Sequence, residues 1–268
     1  LSPASAPSQE HYRNGTTFEE LYALYQFDRD IRHIYLKYLL KVENTFKSVL
    51  AHEFSALYGH DNYLKLENFD AVPDNIRSII KLFGDIQQEM ARQMSKHHQA
   101  VTHYLSEYGY IPLWVLVNVL TFGKVTMFYK LMKPQDKQNI ARKFHVDAKE
   151  LHKYMSLCGL ARNQCAHDER FFDLKFRWHL HTRSVANFSC LGLERDKSGS
   201  YPSGTNDVYA IGIVFARLLG TADTAEFIAS MSAAFSKLEQ QLHTISIKDV
   251  MRIMGYPAAW ERLQQLAR

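Results

Sequence analysis

The chain has 268 residues, 46% of them apolar, with only 12 glycines and 7 prolines. That is ample for a large buried core and argues against a disordered or turn-rich β chain. A net charge of +4 and a pI near 8.8 are compatible with RNA but fall short of the basic excess of a dedicated nucleic-acid binder.

Residues 1–17, with Pro3, Pro7 and Gly15, read as an irregular lead-in, and the chain opens on Leu1, which suggests that a native N-terminal segment precedes it. Thr17 and Glu20 have the spacing of a capping box. Behind them Leu21, Leu24, Phe27, Ile31, Val42, Phe46 and Leu50 recur at helical spacing as far as about Leu57, with Gly59 as the stop. A second helix is expected from about Asp74 through Met90, continuing toward Tyr108, and a third from Pro112, a residue tolerated in a first turn. A short helix follows Pro134, and Asp147 caps another over 148–168. Residues 176–181 alternate weakly, as a short extended piece does. Residues 194–206 form the clearest loop, charged and then rich in Gly, Ser and Pro. Helices at 207–220, 223–243 and 246–254 complete an all-α bundle, the last opened by a Ser246–Asp249 capping box.

Cys158, Cys165 and Cys190 are odd in number and lack metal-ligand spacing. The first two lie seven residues apart on one expected helix, about 10 Å of rise and too far for a disulfide. Reduced thiols fit a cytoplasmic protein. The longest apolar run, 111–122, is interrupted by Asn118 and Thr121 and is shorter than the ~20 residues a bilayer needs. No membrane partner is expected.

The most informative stretch is 160–172, LARNQCAHDERFF, in which Arg162, Asn163, Ala166 and His167 fall within two helical turns and Arg170 follows. Arginine offers a permanently charged fork for phosphate oxygens, and histidine exchanges protons near neutral pH. The spacing alone is cheap. With 15 Arg and 13 His in the chain, chance gives about 0.7 Arg-x4-His pairs. Arg92 and His97 have the same spacing in a polar setting and read as a solvated helix face.

The neighbourhood separates the two. The sequence resembles the Abi-like (abortive infection) proteins of the HEPN superfamily, whose hallmark is Arg-Asn-x-x-Ala-His followed by a further Arg. Further landmarks occur in family order. Phe27, Asp28, Arg29 and Arg32 resemble an FDR-x-x-R helix, and Glu43 to Ser48 the acidic stretch that follows it. Pro112, Leu113 and Trp114 with Leu120 to Gly123 resemble a PLW…LTFG segment. Met254, Gly255, Tyr256 and Pro257 with Trp260 resemble a C-terminal ending.

The resemblance implies an all-α, HEPN-like helical bundle with accessory helices, a single domain over 18–268, and a metal-independent endoribonuclease toxin of anti-phage defence without cofactor. In that mechanism the RNA 2′-OH attacks the adjacent phosphate. His167 is general acid or base, Arg162 holds the phosphate, and Asn163 orients the imidazole or the phosphate. Arg170 either binds a flanking RNA phosphate or makes a structural ion pair, the second being favoured. The resemblance also implies a homodimer with two motifs across one cleft, and a regulatory noncoding RNA or an antitoxin as partner. Arg162 and His167 are five apart, so on a regular helix their directions differ by roughly 140°. Either the helix end is distorted or a second copy completes the site.

The alternatives are plainer. Arg162 and His167 can instead satisfy Asp168 and Glu169 at a helix end, and a non-catalytic HEPN module would bind RNA or protein without cutting it. The landmarks, and the retention of both Arg and His, favour the enzyme. His97, His98 and His103, the pair His179 and His181, and His52-Glu53 lack the spacing of metal sites. Asp28, Arg29 and Arg32 are expected as surface ion pairs of little energetic value, or as lining of a dimer cleft. Trp114 and Trp260 are expected in the core, and Gly123 at a close helix contact.

Overall fold

A computed structural model describes residues 13–167, 169–180 and 188–267. Ten α-helices occur among them: α1 Phe18–Tyr58, α2 Pro73–Ser95, α3 Gln99–Tyr108, α4 Leu113–Val119, α5 Phe122–Leu131, α6 Pro134–Lys143, α7 Ala148–Ala166, α8 Val208–Leu218, α9 Thr221–Glu239 and α10 Ile247–Met254. Short 3-10 turns lie at Leu66–Asn68, Phe188–Leu191 and Trp260–Leu266. The only β pairing among the described residues is one isolated bridge, Phe69 to Met132. The chain is all-α, as its periodicity predicts.

Helix α1 is the axis of the bundle. Its 41 residues span about 60 Å at 1.5 Å per residue, and α4, α6, α7 and α9 all pack against it. Its buried stripe includes Phe27, Ile31, Tyr35, Leu39, Phe46, Leu50 and Phe54. Three pairs tie its solvent side to α9: Lys37–Glu226 at 2.6 Å, Lys41–Asp223 at 2.5 Å and Lys237–Asp30 at 2.7 Å. All three lie at the surface, Asp223 being partly buried, and each adds about a fraction of a kcal/mol. Helix α8 is buried on every side from Val208 to Ala216, as a helix apolar all round must be.

Several boundaries differ from expectation. The second helix does not run on to Tyr108. It stops at Ser95, His97 takes a left-handed φ of 53°, and the His98 side chain caps α3 by accepting from the Val101 N–H. The segment after Pro112 is two helices, because Thr121 caps a new one by accepting from the Lys124 N–H. Residues 176–180 form no strand, although the Phe176 and Leu180 N–H groups donate to the carbonyls of Asn206 and Thr205.

The expected capping box at Thr17 is only half made. Thr17 accepts from the Glu20 N–H, but the Glu20 carboxylate instead accepts from the N–H groups of His243, Thr244 and Ile245 and from the Thr244 hydroxyl. Those donors in the loop between α9 and α10 outnumber the single N–H at Thr17. The Ser246–Asp249 box is reciprocal.

Trp260 is buried, but Trp114 is 49% exposed and lies against the His60 ring. Gly123 meets no close neighbour, so it is not a packing glycine. Gly255 is the tight one: its φ is +86°, and a Cβ there would collide with the Asp207 carboxylate.

Candidate functional site

Helix α7 presents the motif. Asp147 caps its start by accepting from the Glu150 N–H at 2.8 Å. Its inner face buries Leu151, Tyr154, Met155, Cys158, Ala161 and Cys165. The helix runs antiparallel to α1, so Arg162 lies opposite Glu43 and Cys165 opposite Arg32 and Asp28. Burial pushes the Cys165 thiol up to about 12 and the Cys158 thiol higher still. Both are unreactive packing residues in this fold. All three cysteines are free.

The helix ends at Ala166. His167 is its C-cap, off helical geometry at φ −98° and ψ 11°, with its backbone N–H donating to the Asn163 carbonyl at 3.1 Å. The regular helix therefore stops one residue before His167. The His167 and Asn163 side chains are exposed and have no hydrogen-bond partner among the described residues. Asp168 lies outside the described residues. Glu169 is exposed, and no carboxylate among the described residues engages His167.

Arg162 is held from below. Its Nε is buried 3.4 Å from Glu43 Oε2, an ion-pair distance without hydrogen-bond geometry, while the side chain as a whole stays 37% exposed. The stem is inside, and the terminal nitrogens of the guanidinium make no bond among the described residues. Glu43 also pairs with Lys47 at 2.8 Å, and Lys47 donates to the Leu120 carbonyl at 2.9 Å. A buried carboxylate thus sits between two cations, Lys47 and Arg162.

Arg170 points elsewhere. It pairs with Asp173 at 2.8 Å on the surface, the arrangement of a structural ion pair. Its carbonyl accepts from the Gln164 side chain at 3.4 Å, which closes the turn after the motif.

The expected surface role of Asp28 and Arg32 is overturned, since both are about 5% exposed. Asp28 Oδ1 accepts from the Phe171 N–H at 2.9 Å and the Phe172 N–H at 2.8 Å, and Oδ2 faces Arg32 Nε at 3.1 Å. Arg29 alone of the three is exposed.

Of the other landmarks, one packs on α7 and one on α1. Phe122 packs at Gly159, one turn before Arg162. Tyr256 and Tyr35 share a hydroxyl hydrogen bond of 2.5 Å, and the Tyr35 ring meets Phe171 edge-on at 5.0 Å. Sequence reasoning placed Glu43 and Lys47 only within a family landmark and read Asp28 as a surface ion pair or dimer-cleft lining. The available signal was positional, because each is a charged residue lying inside the apolar stripe of α1 rather than on its solvent side.

Among the described residues no three His, Cys, Asp or Glu side chains are grouped to hold a metal ion, and no helix is long and apolar enough to cross a membrane. The family described as Abi-like protein matches residues 2–173 of the chain, which include every landmark but the C-terminal one. No curated protein matches the chain, and no solved structure does.

Proposed function

The chain belongs to the Abi-like family, and on that premise we propose that it is an endoribonuclease toxin of abortive-infection defence that cuts RNA without a metal. The observation that carries this reading is the end of α7. There His167 and Asn163 are exposed, and Arg162 on the same helix has its Nε anchored on buried Glu43 while its side chain stays partly open to solvent.

In the proposed reaction Arg162 binds the non-bridging oxygens of the scissile phosphate, where negative charge grows in the transition state. A histidine removes the 2′-OH proton, the 2′-oxygen bonds to phosphorus, and the P–O5′ bond breaks. A proton delivered to O5′ leaves a 5′-OH and a 2′,3′-cyclic phosphate. Two proton transfers are required, and a homodimer supplies two copies of His167 across one twofold axis. Leu160 suits such an interface, being an apolar side chain 43% exposed one turn before Asn163. Asn163 positions the imidazole or the phosphate.

The test is cleavage of total RNA by the purified protein in excess chelator. Wild type should cut, and Arg162→Ala and His167→Ala should each lose about 100-fold or more, the usual scale of a lost acid–base or charge-stabilising group. An intact wild-type chain that never cuts RNA, or variants that cut as well as wild type, would favour a non-catalytic binding module.

A further inference from the structure

The face of α7 that carries Asn163 and His167 continues back through Leu160 and Ser156 to Lys153, in steps of three and four residues. At that far end His152, Lys153 and Ser156 line a shallow notch closed by Trp178 and His179 from the segment after the motif. Trp178 is 59% exposed, although its rings would gain much from burial. Its segment is not a loose tail. Phe176 and Leu180 on either side are buried, and their N–H groups are bonded to Asn206 and Thr205 at 2.6 and 2.7 Å. The ring is held out on a fixed backbone.

The surroundings are cationic. Burial and the charges of Lys130, Lys137 and Lys153 all hold His152 below its usual range, so three lysines from three helices converge here. Arg177 is exposed next to Trp178. Asp70 bears on Lys137. A fixed, exposed aromatic face beside cations that make no ion pair among the described residues is what a single strand of nucleic acid needs: a ring for a base and positive charge for the phosphates.

We propose that this corner is an auxiliary RNA subsite in which a base stacks on Trp178 and the flanking phosphates lie against Lys130, Lys153 and Arg177. It lies about 21 Å along α7 from His167 at 1.5 Å per residue. A single-stranded substrate engaging both places therefore extends several nucleotides from the scissile phosphate. The inference rests on the reading of the chain as an RNA enzyme, and it adds where the substrate is gripped.

The experiment uses the full chain and separates gripping from cutting. Binding of a labelled single-stranded oligoribonucleotide of about 12 nucleotides is measured by anisotropy on the non-cleaving His167→Ala chain, with and without Trp178→Ala. Cleavage of the same oligonucleotide and of a dinucleotide is measured with Trp178→Ala alone. Trp178 is a surface residue, and circular dichroism verifies that the variant is folded. Loss of about tenfold in affinity, with the oligonucleotide cut less efficiently through KM and the dinucleotide cut unchanged, is the expected result. Trp178-dependent binding by a protein that cuts nothing would sink the ribonuclease reading and leave the subsite standing. Normal cleavage with affinity and KM indifferent to Trp178→Ala would overturn the subsite alone, and absence of both binding and cleavage would overturn both.

Discussion

Asp28 and Phe171 are 143 residues apart in the chain and 2.9 Å apart in the fold, the carboxylate accepting the backbone N–H. The same oxygen takes the Phe172 N–H. Helix α1 thereby fixes where the chain goes after His167, and with it the exit of the motif. Asp28→Ala removes two bonds to a charged acceptor and should lower stability by about 3 kcal/mol, read as a lower urea midpoint at unchanged slope. A loss below about 1 kcal/mol would show that the brace is decorative.

Glu43 has a separable effect. Glu43→Gln keeps the shape beneath Arg162 but removes the charge that holds its Nε and pairs Lys47. RNA cleavage should fall about tenfold or more, with Arg162 still present but poorly oriented. A lysine at position 162 should not restore activity, because it lacks the planar fork. Comparable rates for Glu43→Gln and wild type, measured below the unfolding temperature of both, would remove Glu43 from the account.

Acid should reveal Glu20. Its bonds to Thr244 and to the backbone of residues 243–245 lower its carboxyl from 4.5 to about 2. The unfolded chain therefore binds a proton there more readily than the folded one. The stability this group contributes is complete above about pH 4.5 and declines as pH falls toward 2. Chemical denaturation across that window should show a decline that Glu20→Gln flattens. Identical slopes for both proteins would mean that the loop between α9 and α10 is held by other contacts.

Much of this was legible in the sequence. Helix α1, the Asp147 cap and the Ser246–Asp249 box follow from apolar spacing and local side-chain chemistry, which act within a turn or two. The breaks at His97 and Thr121 were missed because apolar periodicity runs straight through them. What decides there is a left-handed φ in one case and a hydroxyl cap in the other. At the site, the types and spacing of Arg162, Asn163 and His167 could be read directly, and their setting could not. Asp28 and Arg32 look like surface charges because nothing local reveals that residues 171 and 172 will lie against them. Trp114 failed for the opposite reason, since its size suggests burial while its place at the start of a seven-residue helix leaves it half outside.

The proposed twofold site has its own signature. Light scattering should give a particle near twice 31.1 kDa. Mixing Arg162→Ala with His167→Ala protomers should recover part of the cleavage that neither parent shows, provided the groups act across the interface. A monomer that cuts RNA at full rate would end the dimer proposal while leaving the chemistry intact.

The most direct measurement is the chemistry of the cut ends. A defined RNA, incubated with purified protein in excess chelator, should yield 2′,3′-cyclic phosphate and 5′-OH termini, and His167→Ala should yield neither. Termini bearing 3′-OH and 5′-phosphate, or cleavage that persists in His167→Ala, would contradict transfer through the RNA 2′-OH at the end of α7.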